Sequence, residues 1–216
     1  MKSVHIPYID NIDNIDLTEI RDSLIKRGTP ISIDCVNWPE TYPDSRDTTV
    51  YAAHSNNNLF LLFECEGSDL KAEVTDDLGP VANDSCVEFF ISPVPDTGRY
   101  WNFEFNAIGR KNVSTRILRP EPRRLNADEL AQIAVLPSEG LTPFAEKSGW
   151  HSWSLLVSIP LSLLGLPNPT FPLAMKGNFY KCGAKTSSPH YLSWAPIVTD
   201  RPDFHRPEFF GDIILD

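Results

Sequence analysis

Nine side chains in this sequence have the types and spacing to do chemistry: Glu88, Glu104, Asn106, Tyr180, Lys181, His190, Trp194, Phe204 and His205. Six of them fall within NFYKCG (178–183), PHYLSW (189–194) and PDFHRPEFFGDI (202–213), close to the C-terminus. There, rings, imidazoles and Glu208 crowd around Pro189, Pro202 and Pro207, each of which fixes φ at a bend. A plain β core needs alternating aliphatic and polar residues. This composition instead suits ring faces and hydrogen-bonding heads held in set positions on loops and strand ends. The competing reading is an arm that only completes the core with its rings.

Two chemistries fit these residue types. Sugars expose flat C–H patches that stack on aromatic rings, and hydroxyls that bridge to carboxylates and amides. Phe204 or Trp194 would be the platform, with Glu88, Glu104 and Asn106 as hydroxyl partners and His190 and His205 donating or accepting. Tyr180 and Lys181 are consecutive, so on a strand they cannot both face one groove. In the alternative, Glu88 and Glu104 divide acid and base roles as a glycoside hydrolase or lyase acting on O-glycosyl bonds. Carboxylates opposed across a strand pair sit about 5 Å apart, nearer the retaining than the inverting geometry. Binding is the preferred reading. No Ser-centred elbow, Gly-rich phosphate loop or HExxH supports other common chemistries.

The elements that must position these groups are mostly strands. In WNFEFN (101–106), Trp101, Phe103 and Phe105 alternate with Asn102, Glu104 and Asn106, so one face is aromatic core and the other polar. In CVEFFI (86–91), Val87, Phe89 and Ile91 take the core side and Cys86, Glu88 and Phe90 the other. A hairpin through 93–99 then sets Glu88, Glu104 and Asn106 on one sheet face. Further strands are expected at Ile31–Cys35, Thr49–His54, Leu59–Glu66, Trp153–Ile159, Asn178–Gly183, Tyr191–Trp194 and Asp212–Leu215, with the 101–106 strand running over Tyr100–Ile108. In SWSLLVSIP (152–160), Ser152, Ser154, Leu156 and Ser158 are expected to point outward. One helix is expected after Asp16 as N-cap, with Glu19 completing a capping box and Gly28 as stop. It would bury Leu17, Ile20, Leu24 and Ile25. A second short helix falls within 126–135. Many short strands and few helices predict an all-β, jelly-roll-like β-sandwich with a short N-terminal helix.

The 216 residues predict a single domain over 1–216, with 1–30 as a helical extension packed on it. A net charge of −10 argues against nucleic acid and anionic membranes and is compatible with a neutral saccharide ligand. The apolar run 155–166 is too short to span a bilayer and is broken by Pro160. Cys35, Cys65, Cys86 and Cys182 show no CxxC pair and read as reduced and structural. No cofactor is expected, a structural calcium at the loop acids Asp76, Asp77 and Asp84 being the one alternative. MKSVHIPYID shows no signal peptide, so the default expectation is cytoplasmic, or periplasmic or secreted where a leader has been removed.

Taken in order, DSCVEFFISP (84–93), YWNFEFNAIG (100–109), NFYKCG, PHYLSW and PDFHRPEFFG resemble the family 9 carbohydrate-binding-module-like domains, nearest the versions common in Bacteroidetes. The resemblance runs from about Val36 to the C-terminus and is specific as a set. It implies a β-sandwich that binds saccharide between two tryptophans on a concave sheet, in partnership with glycan-degrading enzymes. Carried over, the acid closing the Asp-Ser-x-x-Glu element is Glu88 and the family's amide is Asn106. The second stacking tryptophan falls on Phe204, the first on Val81, and the central-strand arginine becomes Glu104.

Overall fold

Period-two alternation produces two antiparallel-rich sheets facing each other across a hydrophobic interior. The computed structural model describes residues 2–44, 46–117 and 120–216. In chain order the elements are β1 (Ser3–Ile6), α1 (Leu17–Arg27), β2 (Thr29–Ser32), β3 (Cys35–Val36), β4 (Thr48–His54), β5 (Asn58–Ala72), β6 (Cys86–Ser92), β7 (Tyr100–Asn106), β8 (Lys111–Arg116), β9 (Arg123–Arg124), α2 (Ala127–Ala131), β10 (Ala134–Pro137), β11 (Phe144–Pro160), β12 (Leu173–Cys182), β13 (Tyr191–Ser193) and β14 (Gly211–Leu215). The larger sheet runs β1-β14-β12-β6-β7-β8-β9, with β13 pairing β12 and β3. The smaller runs β10-β11-β5-β4-β2. The expected β-sandwich is what forms.

Inner faces meet as the alternation predicts. Phe179, Phe89 and Phe103 are register partners across β12, β6 and β7, and all are fully buried. They pack toward Leu59, Leu61 and Phe63 of β5 and Leu155 and Val157 of β11 in one continuous core. No helix among the described residues is long and apolar enough to cross a membrane.

Both sheets are covered on their outer faces as well, which alternation alone does not reveal. On the smaller sheet, Ile20 and Leu24 of α1 join Ile9 and Ile12 over Phe60, Leu62 and Leu156. Leu156 and Ser158 do face the outer side, as expected, but this cover leaves them buried. Ile25, expected on the buried face of α1, is 41% exposed, while Leu17 is only half-buried. The capping box forms as expected: the Asp16 carboxylate accepts from the Thr18 and Glu19 amides at 2.8 and 2.9 Å, and Glu19 accepts from the Asp16 amide. Asp16→Ala should therefore cost about 1 kcal/mol. A chemical melt of the variant tests this, and an unchanged midpoint would show that α1 is held by packing alone.

Other boundaries differ for identifiable reasons. The run expected at Ile31–Cys35 divides, because β2 belongs to the smaller sheet and β3 crosses to pair with β13 of the larger. The first thirty residues do more than form a helix: β1 adds to β14 in parallel and β2 to β4. Strands β8, β9 and β10 come from segments too polar or too short to show period two. KNVSTR offers Val113 as its one aliphatic side chain.

Candidate functional site

The outer face of the larger sheet carries rows of partners set by register. One row runs Tyr180, Glu88, Glu104 and Asn112 across β12, β6, β7 and β8. The next runs Cys182, Cys86 and Asn106 across β12, β6 and β7. Residues 195–210 fold back over this face and are tied to it at several points. Asn178 accepts from the Ala195 amide and donates to its carbonyl, Trp38 donates to the Thr199 carbonyl, and Tyr180 donates to the Phe204 carbonyl. The result is a second apolar cluster containing Trp38, Val81, Cys86, Phe90, Tyr180, Cys182 and Phe204.

A cleft of about 200 Å³ remains between arm and sheet. It is lined by Ala82, Glu88, Glu104, Cys182, Tyr191, Pro202, Asp203, Phe204 and His205. Its floor holds two carboxyls in different company. Glu104 accepts from the Asn102 and Asn112 amides, each at 2.8 Å. Glu88 is approached by the Cys182 thiol at 3.1 Å and the Cys86 thiol at 4.0 Å. Burial pushes Glu88 well above the usual carboxylate range, reinforced by Cys182 and by Glu104. Burial also raises Glu104, against the opposing effect of the Asn112 and Asn102 amides. Burial lifts the Cys86 thiol to about 11. An acid/base pair works when environments push two groups apart; here both carboxyls move up.

The walls are aromatic. Phe204 stacks on Tyr180 with centroids 4.2 Å apart and planes at 11°, and meets Tyr191 edge-on at 6.1 Å. Only 9% of Phe204 is exposed, so it is packed between neighbours rather than standing as an open platform. Tyr191 is half-buried, and its ring is braced by Tyr42 at 4.8 Å. His205 lies over Phe90 and faces the Tyr100 hydroxyl at 3.1 Å, while the His205 amide donates to Asp203.

Of the nine residues expected at the site, Glu88, Glu104, Phe204 and His205 line this cleft, and Tyr180 supports it from behind Phe204. The other four are placed elsewhere. Asn106 is fully buried, donating to Asp84 and the Val74 carbonyl and accepting from the Arg110 amide. Trp194 packs inside the sandwich, edge-on to Phe179 at 5.8 Å. Lys181 points to the inner side, as the alternation with Tyr180 requires. Its ammonium nitrogen is 2.8 Å from His190 Nε2, donates to the Cys182 carbonyl, and lies over Trp153. Val81, where the resemblance implies a clamp tryptophan, is buried. Among the acids considered for calcium, Asp77 accepts from the Lys111 amide and Asp84 from the Val74 amide and Asn106.

The cleft also contains Cys182, Tyr191 and Asp203, which the sequence reading did not single out. A signal existed for two of them. Cys182 shares a strand face with Tyr180 two residues earlier, and Tyr191 is its register partner on β13.

Two facing sheets, with an aromatic and carboxyl-lined cleft on the outer face of one, define a β-sandwich of the ligand-binding-module class. The sequence profile described as Carbohydrate-binding family 9 matches residues 22–215, and the chain belongs to that family. A candidate carbohydrate-binding protein of Bacteroides uniformis ATCC 8492 has a crystal structure similar to this fold with a TM-score of 0.93. The two are 32% identical, over 100% of this chain and 99% of that one. A family 9 carbohydrate-binding module of Caldicellulosiruptor kristjanssonii in complex with cellotriose shares the fold at a TM-score of 0.54. Its identity is 13%, over 99% of this chain and 93% of that one. A glucose complex from the same organism aligns at 0.53 with 14% identity, over 100% and 96% of the two chains. Comparison with curated proteins gives no significant match.

Proposed function

We propose that this chain binds a small, uncharged saccharide unit in the cleft above Glu88 and Glu104. The observation that carries the reading is the convergence of an aromatic wall, Tyr191 and Phe204, with Glu88, Glu104, Asp203 and His205 in one cleft of a family 9 chain. A sugar's C–H face would lie against Tyr191, the more exposed ring, while its hydroxyls pair with the carboxyls and the imidazole. The two complexes with cellotriose and glucose make β-linked glucose units the first ligands to try. The volume of about 200 Å³ is below the roughly 300–1,000 Å³ of drug-sized sites, which favours a terminal unit over a long chain segment. On the same grounds we place the chain beside enzymes that degrade the glycan it holds.

The test is a glycan array followed by calorimetry on the hits, with Tyr191→Ala and Glu104→Gln. Each should weaken binding by roughly 30-fold or more, the cost of truncating a central contact. Absence of any saccharide hit, or affinity unchanged in both variants, would overturn the reading.

A further inference from the structure

We propose that Cys86, Glu88 and Cys182 form a binding site for a thiophilic divalent cation of the zinc type at the floor of the cleft. Cys86 and Glu88 stand two apart on β6 and so share its outer face. Cys182 is the register partner of Cys86 on β12, which brings residues far apart in sequence into one plane. The two sulfur atoms and a carboxylate oxygen lie within 4.8 Å of one another, and all three residues are buried. Glu88 Oε1 is 3.1 Å from Cys182 Sγ and 4.0 Å from Cys86 Sγ. Zinc binds thiolate sulfur at about 2.3 Å and carboxylate oxygen at about 2.0–2.2 Å in a tetrahedron. Its ligand atoms therefore stand about 3.5–3.8 Å apart, so the present spacings bracket the requirement and small side-chain rotations meet it.

Charge favours the same conclusion. Buried carboxyls are ordinarily paired with a cation or satisfied by strong donors. Glu104 has two amides, but Glu88 has only thiols, and no Lys or Arg pairs with it among the described residues. A dication supplies the missing partner and displaces the thiol protons to solvent. Small apolar cysteines would explain two buried thiols in an aromatic cluster. They would not explain why the Cys182 thiol meets Glu88 at 3.1 Å with the Cys86 thiol 4.0 Å away, around a buried acid that has no N–H or O–H donor among the described residues. Glu88 and Cys182 border the cleft, so an ion has a way in, and a water from the cleft would complete its tetrahedron.

The proposal stands apart from the saccharide reading, because uptake is measured with no sugar present. Full-length chain, kept reduced and freed of metal, is titrated with Co²⁺ and then with Zn²⁺. Expected are a sulfur-to-cobalt charge-transfer band, saturation at one ion per chain, and its displacement by Zn²⁺. Cys86→Ser and Cys182→Ser should abolish the band, and Glu88→Gln should weaken Zn²⁺ binding by roughly tenfold or more. Absence of the band in the reduced wild type overturns the proposal without recourse to any variant. So does a band that persists in folded Cys86→Ser and Cys182→Ser, with folding checked by near-UV circular dichroism.

Discussion

Replacing Phe89 by alanine is expected to lower the unfolding free energy by about 3–5 kcal/mol, the range for deleting a fully buried aromatic ring. Phe89 is the middle of a three-ring row: Phe179 stacks on it at 4.8 Å and Phe103 at 6.3 Å. Its strand is central in the larger sheet, with β12 on one side and β7 on the other, so neither neighbour can close the gap without breaking its own register. For a chain of this size each kcal/mol moves Tm by about 2–4 °C, which predicts a fall of roughly 10 °C. Denaturant melts of wild type and variant should differ in midpoint with the slope unchanged. A loss below about 1 kcal/mol would mean that the core repacks freely. Because Glu88 and Phe90 flank Phe89 and point to the opposite face, slack in the core is also slack in the cleft floor.

That coupling explains what could and could not be read from the sequence. Alternation in WNFEFN and CVEFFI identified both faces of β6 and β7 and brought Glu88 opposite Glu104. It also required Lys181 to turn away from Tyr180, which it does. What alternation cannot express is that residues 195–210 return to cover the outer face. Phe204 lies on no strand, so no alternation marks its side, and it reads the same in sequence whether exposed or stacked on Tyr180. Likewise the meeting of Cys86 with Cys182 depends on the β6–β12 register, which no local pattern in either strand encodes. His190 and Trp194 join the site in the sequence reading by residue type, an imidazole and a ring in the Pro-flanked PHYLSW segment. On β13 and the turns around it, adjacent side chains part to opposite sides of the sheet.

His190 gives the chain a specific acid lability. Its imidazole is fully buried, with Nε2 against the Lys181 ammonium nitrogen and Nδ1 against the Ser188 carbonyl at 2.9 Å. Burial, then the charges of Lys181 and Arg46, hold it well below its ordinary 6.5. In the unfolded chain the ring is free to titrate near 6.5. As pH falls through that value, the unfolded state takes up a proton that the native state refuses, and stability declines. The contribution is therefore intact above about pH 6.5 and is lost below it, at up to about 1.4 kcal/mol per pH unit. Glu88 and Glu104 act in the opposite sense, since carboxyls raised by burial favour the folded state as pH falls. A single wild-type profile mixes these effects, so the informative quantity is a difference. His190→Gln keeps an acceptor for Lys181 but cannot titrate. Wild type should hold a stability advantage over it at pH 7 that shrinks steadily as pH is lowered from 6.5 toward 5, read from denaturant midpoints in chelator-treated samples. A difference constant across that window would show that the ring charges in place, and that the contact between Lys181 and His190 tolerates two positive charges.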